Sequence, residues 1–172
     1  MNETKKLCVA LFFGGVSSEH EVSCVSASTW LRALAQAPCA DRYEVFPVGI
    51  TKQGRWLACS PTPEAMADGS WERGADCTPC VLSPDRTDHG IWLLKDDKAE
   101  LVHIDICAPV MHGKNGEDGT IQGLFELARI PYVGCGVLGS AVCMDKAVAN
   151  TIMDAAGVPH CKWASAIRAE LE

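Results

Sequence analysis

The sequence predicts an α/β fold: a mostly parallel, Rossmann-like sheet flanked by helices and carrying hairpin insertions. Three observations predict it. Apolar runs of strand length at residues 7–13, 43–50 and 104–111 are nearly continuous, as in strands covered on both faces. Stretches with apolar residues at helical spacing alternate with these runs. Glycine and proline then punctuate most of the transitions.

Taken in order, residues 7–13 read as a first buried strand that Gly14-Gly15 breaks. A helix follows from about Glu19, with Val22, Val25, Thr29 and Ala33 on one stripe, Trp30 and Leu34 beside it, and Pro38 closing it. Residues 43–50 form the second strand, and Lys52-Gln53-Gly54 turns into a short partner at 55–57. Residues 60–88 hold six prolines and glycines and read as loop, with one short helix near 64–67. Residues 91–94 and 100–103 flank a second hairpin turn. Residues 104–111 form another buried strand, where Pro109 requires a position with no ladder donor to lose.

Asp118 is placed to cap the next helix, whose stripe is Ile121, Leu124, Phe125 and Ala128. A short strand at 131–133 and a Gly134/Gly136 turn lead to a helix opened by Ser140. Its stripe is Met144, Ala147, Val148, Thr151 and Ala155, and Gly157 and Pro159 stop it. A fresh helical segment starts at 166–172.

Of the 172 residues, 48% are hydrophobic and 22% charged, so the chain can build a core and is not a disordered tail. A formal charge of −7 with no Lys/Arg cluster argues against nucleic-acid binding. Lys5 and Lys6 before the first apolar run faintly mimic a signal peptide, but that run is short and leads into glycine and Glu-His-Glu. No run approaches the ~20 apolar residues of a membrane span. Among ten cysteines, Cys77 and Cys80 have the spacing of half a zinc site or a redox pair, yet no second pair accompanies them. Incidental thiols in a reduced, cytoplasmic protein are the simpler reading.

Three strings could carry chemistry. In Gly14-Gly15-Val16-Ser17-Ser18-Glu19-His20-Glu21-Val22-Ser23, a glycine turn hands a strand to a helix, and carboxylates stand where a phosphate loop would present bare amides. Glu19 suits an ammonium ligand; equally, Glu19 and Glu21 complement the helix dipole. In His112-Gly113-Lys114-Asn115-Gly116-Glu117-Asp118-Gly119, a histidine ends a strand, where it can reach a substrate carboxylate or serve simply as a polar strand end. In Ser140-Ala141-Val142-Cys143-Met144-Asp145-Lys146, Lys146 lies two turns inside its helix and could as well extend into solvent.

Together with Ile130-Pro131-Tyr132-Val133-Gly134-Cys135-Gly136-Val137-Leu138, these strings resemble, in order and spacing, the D-alanine–D-alanine ligase family of the ATP-grasp superfamily. The resemblance divides the chain into an N-terminal substrate-binding domain at 1–135 and the start of a central ATP-grasp domain at 136–172. It implies that ATP phosphorylates the carboxylate of one D-alanine and that the amine of a second displaces phosphate, with Mg2+ assisting, in peptidoglycan precursor synthesis. By that resemblance Glu19 holds the first D-alanine's ammonium, His112 sits by its carboxylate, and Lys146 contacts the ATP phosphates. A homodimer is implied as well. Ser18 departs from a commoner alanine, and Gly139 precedes the Ser-Ala pair. The family's later lysines, oxyanion arginine, substrate loop and magnesium ligands have no counterpart here. The chain is therefore expected to be the N-terminal part of a ligase, inactive alone. The alternative is a stand-alone, non-catalytic α/β module that binds a small ligand or a partner.

Overall fold

The computed structural model describes residues 5–166 and 169. Along the chain run β1 (Leu7–Gly14), α1 (His20–Leu34), α2 (Cys39–Arg42), β2 (Tyr43–Ile50), β3 (Trp56–Ala58) and α3 (Pro63–Ala67). A 3-10 turn (Ser70–Arg73) precedes β4 (Thr78–Leu82), β5 (Gly90–Leu94), β6 (Ala99–His103) and β7 (Ile106–Pro109). Then come α4 (Thr120–Ala128), α5 (Val137–Met144) and α6 (Lys146–Ala155).

The strands form one sheet in the order β6-β5-β4-β3-β2-β1-β7. β1 pairs in parallel with β2 and β7, while β2 through β6 continue the sheet antiparallel. The α/β class stands, with parallel pairing confined to the three strands that carry the long apolar runs. β4 falls within the stretch whose prolines and glycines read as loop. Pro79 and the surrounding glycines and prolines hide a short alternation in which Cys80 and Leu82 are buried and Val81 is exposed.

β1 divides the core by simple alternation. Val9, Leu11 and Phe13 face α1, α3 and Trp71, whereas Ala10 and Phe12 face α4. The Phe12 and Phe125 rings stand 5.2 Å apart on the α4 side. Phe13 meets Trp71 edge-on at 4.8 Å on the other. Each fully buried phenylalanine contributes roughly 1.5–3 kcal/mol of transfer free energy. Pro109 fits β7 because alternate amides point opposite ways: Val110 N–H donates to Phe12 O and Cys107 N–H to Pro131 O. Position 109 therefore faces away from β1 and costs that ladder no bond.

Several expectations need correction. The α1 stripe is turned outward, with Val22 and Val25 each 52% exposed. The face against the sheet is built from Ser23, Cys24, Ala27 and Ser28, with Leu31 packed beside it. Small residues let this helix approach β1 closely, and apolar counting favoured the wrong side. α1 ends at Leu34, ahead of Pro38, which instead precedes α2. Asp118 does not cap α4 through its N-cap position. Gly119 holds that position, and the Asp118 carboxylate accepts from the amides of Thr120 and Asn115. The strand expected at 131–133 reduces to one bridge between Cys107 and Tyr132. The helix expected from Ser140 is two helices, because Asp145 leaves helical geometry (φ −88°, ψ 105°) and caps α6. The helix expected at 166–172 falls largely on residues outside those described. Among the described residues, no helix is long and apolar enough to cross a membrane.

Candidate functional site

The C-terminal ends of β1, β2 and β7 point the same way because the three run parallel. From β1 the chain crosses through α1 to β2, while β7 lies on β1's other side and leads to α4. The crevice between the ends of β1 and β7 is thus where the strand order reverses, the usual ligand position in such sheets. The loops carrying Glu19 and His112 meet there.

The first loop is clamped. Gly14 (φ +83°) has no room for a side chain, since a Cβ would stand 2.3 Å from Ile50 O. Its N–H donates to Ser23 Oγ at 2.8 Å, and Ser23 Oγ donates onward to Val110 O at 2.6 Å. Gly15 N–H donates to Ile50 O at 2.7 Å. Glu19 then sits at the N-cap of α1 with no side-chain capping bond, and its carboxylate is exposed.

The structure separates two acids that the sequence left equivalent. Glu21 is ion-paired with Lys52, and that hydrogen bond holds its carboxyl below the usual range. Glu19 has no cationic partner among the described residues. Its Oε1 lies 3.1 Å from where a Cβ on Gly113 would stand, which puts it against the second loop.

His112 is held at three points. Its carbonyl oxygen accepts from Ser17 Oγ at 2.7 Å, its Nε2 stands 3.0 Å from Ser26 Oγ, and its Nδ1 lies 3.6 Å from Glu117 Oε1. Glu117 is itself fixed by accepting from Gly113 N–H at 3.0 Å. A carboxylate facing Nδ1 favours the hydrogen there, leaving Nε2 as the exchangeable position beside the Ser26 hydroxyl. Deeper in the loop, burial pushes the Asp118 carboxyl up, but the donors of Asn115 and Thr120 outweigh it and hold the group below its ordinary range. Beside both loops lies a cavity of about 180 Å³ lined by Gly15, Trp56, Met111, Asn115 and Ile121. It is small and mostly apolar. Larger hollows of about 570 and 590 Å³ lie near Tyr43 and near Pro159, and both are wide-open surface depressions.

The loops that carry Glu19 and His112 are therefore brought together, while Lys146 lies on another element. It is the first residue of α6, exposed, and in no ion pair among the described residues. Ser17, Ser26 and Glu117 were not singled out from the sequence. A signal for Ser26 existed: it lies seven residues after Glu19, two helical turns on, and so shares its face. Among the described residues no three His, Cys, Asp or Glu side chains cluster so as to hold a metal ion.

The family profile described as D-ala D-ala ligase N-terminus matches residues 8–135. The chain belongs to the D-alanine–D-alanine ligase family. It is 49% identical over 155 residues to a D-alanine–D-alanine ligase of Caldicellulosiruptor bescii, covering 90% of this chain and 41% of that protein. Among solved structures, the VanG D-Ala:D-Ser ligase of Enterococcus faecalis superposes with a TM-score of 0.80 at 38% identity, over 89% of this chain and 43% of the other. The D-alanine-D-alanine ligase of Coxiella burnetii gives a TM-score of 0.77 at 31% identity, over 91% and 43%. The chain thus spans about two-fifths of the length of the relatives it matches.

Proposed function

We propose that this chain supplies the first-substrate half of an ATP-dependent carboxylate–amine ligase that joins two D-alanines for peptidoglycan precursors in the cytoplasm. The observation that carries the reading is Glu19: an exposed carboxylate with no cationic partner among the described residues, set against the loop that His112 opens. Glu19 binds the ammonium of the first D-alanine. His112, oriented through Nδ1 by Glu117, turns Nε2 toward the carboxylate and, with a proton on Nε2 as well, offsets its charge as the phosphoryl group arrives. The clamped Gly14-Gly15 turn keeps both groups fixed, which lowers the cost of orienting the substrate. Lys146 contacts the ATP phosphates, and magnesium, when bound, neutralises charge on them. The ligase works as a homodimer.

The test uses Glu19→Gln and His112→Gln in the full-length protein. Each should lower D-alanine-dependent ADP formation about tenfold to a hundredfold, the worth of a charged hydrogen bond. Thermal midpoints should stay near those of the native protein. Native rates in both variants sink the assignment of these residues, and a native protein inert toward D-alanine, D-serine and D-lactate sinks the ligase reading.

A further inference from the structure

His20 is 4% exposed, directly follows Glu19, and takes no part in the chemistry above. A buried imidazole is costly unless its polar atoms are partnered. Nδ1 lies 2.8 Å from Gly15 O, and since a carbonyl only accepts, Nδ1 carries the hydrogen. Nε2 stands 3.7 Å from Glu72 Oε1, beyond a hydrogen bond but within ion-pair reach. It borders a hollow of about 250 Å³ that also meets Glu21, Lys52 and Asp68. The ring lies directly beneath the turn, so a Cβ on Gly14 would meet its Cε1 at 3.0 Å.

Gly15 is consequently fastened on both sides: its N–H to Ile50 O and its C=O by the His20 ring. With His20 seated inward at the first position of α1, Glu19 at the N-cap just before it stays exposed and lies against Gly113. We infer that His20 is a positioning residue: clamped on the Gly15 carbonyl, its imidazole fixes the direction in which Glu19 offers its carboxylate to the ammonium group of an amino-acid substrate. This rests on the substrate role given to Glu19 above.

The experiment compares three variants of the full-length protein. His20→Asn keeps an amide N–H where Nδ1 stood, His20→Gln carries its amide out toward Nε2, and His20→Leu has no donor. Two readouts are taken: the ligand-free amide shifts of Gly15, Glu19 and Gly113 by NMR, and KM for the first D-alanine alongside kcat. Gln and Leu should move all three amides and raise KM about tenfold or more, with kcat within about threefold, while Asn restores both. Native-like amides and KM in Gln and Leu overturn the inference, as does rescue by Gln and not by Asn. If Leu does not fold, the Asn/Gln comparison decides. A native protein that ignores D-alanine removes the substrate reading alone, and the ligand-free amides still report whether His20 steers Glu19.

Discussion

Ser17 Oγ donates to the carbonyl oxygen of His112 across 2.7 Å, and the same hydroxyl accepts from Glu19 N–H at 3.1 Å. One side chain thus straps the loop after β1 to the loop after β7, between the two residues assigned to the substrate. Ser17→Ala should cost about 1 kcal/mol of stability. It should raise KM for D-alanine more than that loss alone explains. Urea midpoints beside steady-state kinetics check this, and an unchanged KM would detach the strap from binding.

Gly113 has a left-handed φ of +69°, and a methyl there would press on Glu19 Oε1 from 3.1 Å. Gly113→Ala should therefore cost about 1 kcal/mol in backbone strain and also displace the carboxylate. Gly69→Ala is the control, with a φ of +78° and nothing within 4 Å. Both should lower the melting midpoint, but only the first should impair D-alanine binding. Equal effects on binding would rule out the contact with Glu19 as the cause.

Burial pushes the thiols of Cys59 and Cys107 up to about 12, and those of Cys24 and Cys80 to about 11. Since thiolate is the nucleophile, these four should resist iodoacetamide in the native protein while exposed Cys135, Cys143 and Cys161 label. Mass spectrometry of native and denatured protein reads this directly. Cys77 and Cys80 belong to opposite core layers, Cys77 packing with Trp71 and Cys80 with Leu82. The two thiols therefore do not pack in the same layer.

Asp118 has a folded pKa below its ordinary value, so its contribution to stability is complete above about pH 4. That contribution fades as the pH falls through the lower folded pKa. Asp118→Asn should flatten part of the acid limb below about pH 4. Melting midpoints across that window are the measurement, and an unaltered limb would remove Asp118 from the acid response.

Asp145 Oδ1 accepts from Ala147 N–H at 2.9 Å and from Val148 N–H at 3.1 Å. Asp145→Ala should cost α6 about 1 kcal/mol. Faster amide exchange should be confined to the first turn of that helix. Exchange spread evenly over the chain would contradict a purely local cap.

The strands that hold the site were legible because β1, β2 and β7 lie in nearly continuous apolar runs, and Gly14-Gly15 and Gly113 announce where the site loops begin. Glu19 and His112 could be named from their neighbours in the sequence. The burial of α1 was not legible. Serine, cysteine and alanine make its inner face, and hydropathy does not distinguish them from a solvent face that carries Val22, Val25 and Trp30. β4 escaped because it gains its stability from neighbours on both sides and not from its own residues. The roles of Ser17, Ser26 and Glu117 arise from bonds to residues about 90 or more positions away, or from a turn of the loop, and local pattern cannot show these.

The stretch from Gly14 to Ser23 has no slack. Gly14 is fastened to Ser23, Gly15 to both Ile50 and His20, and Ser17 to His112. Adding or deleting one residue between Ser17 and Ser23 would wind α1 by about 100°, aiming histidine at solvent and glutamate into the core. Length variation among sequences built on this plan should therefore be absent from these ten positions, and should collect in exposed turns such as residues 95–98, between β5 and β6.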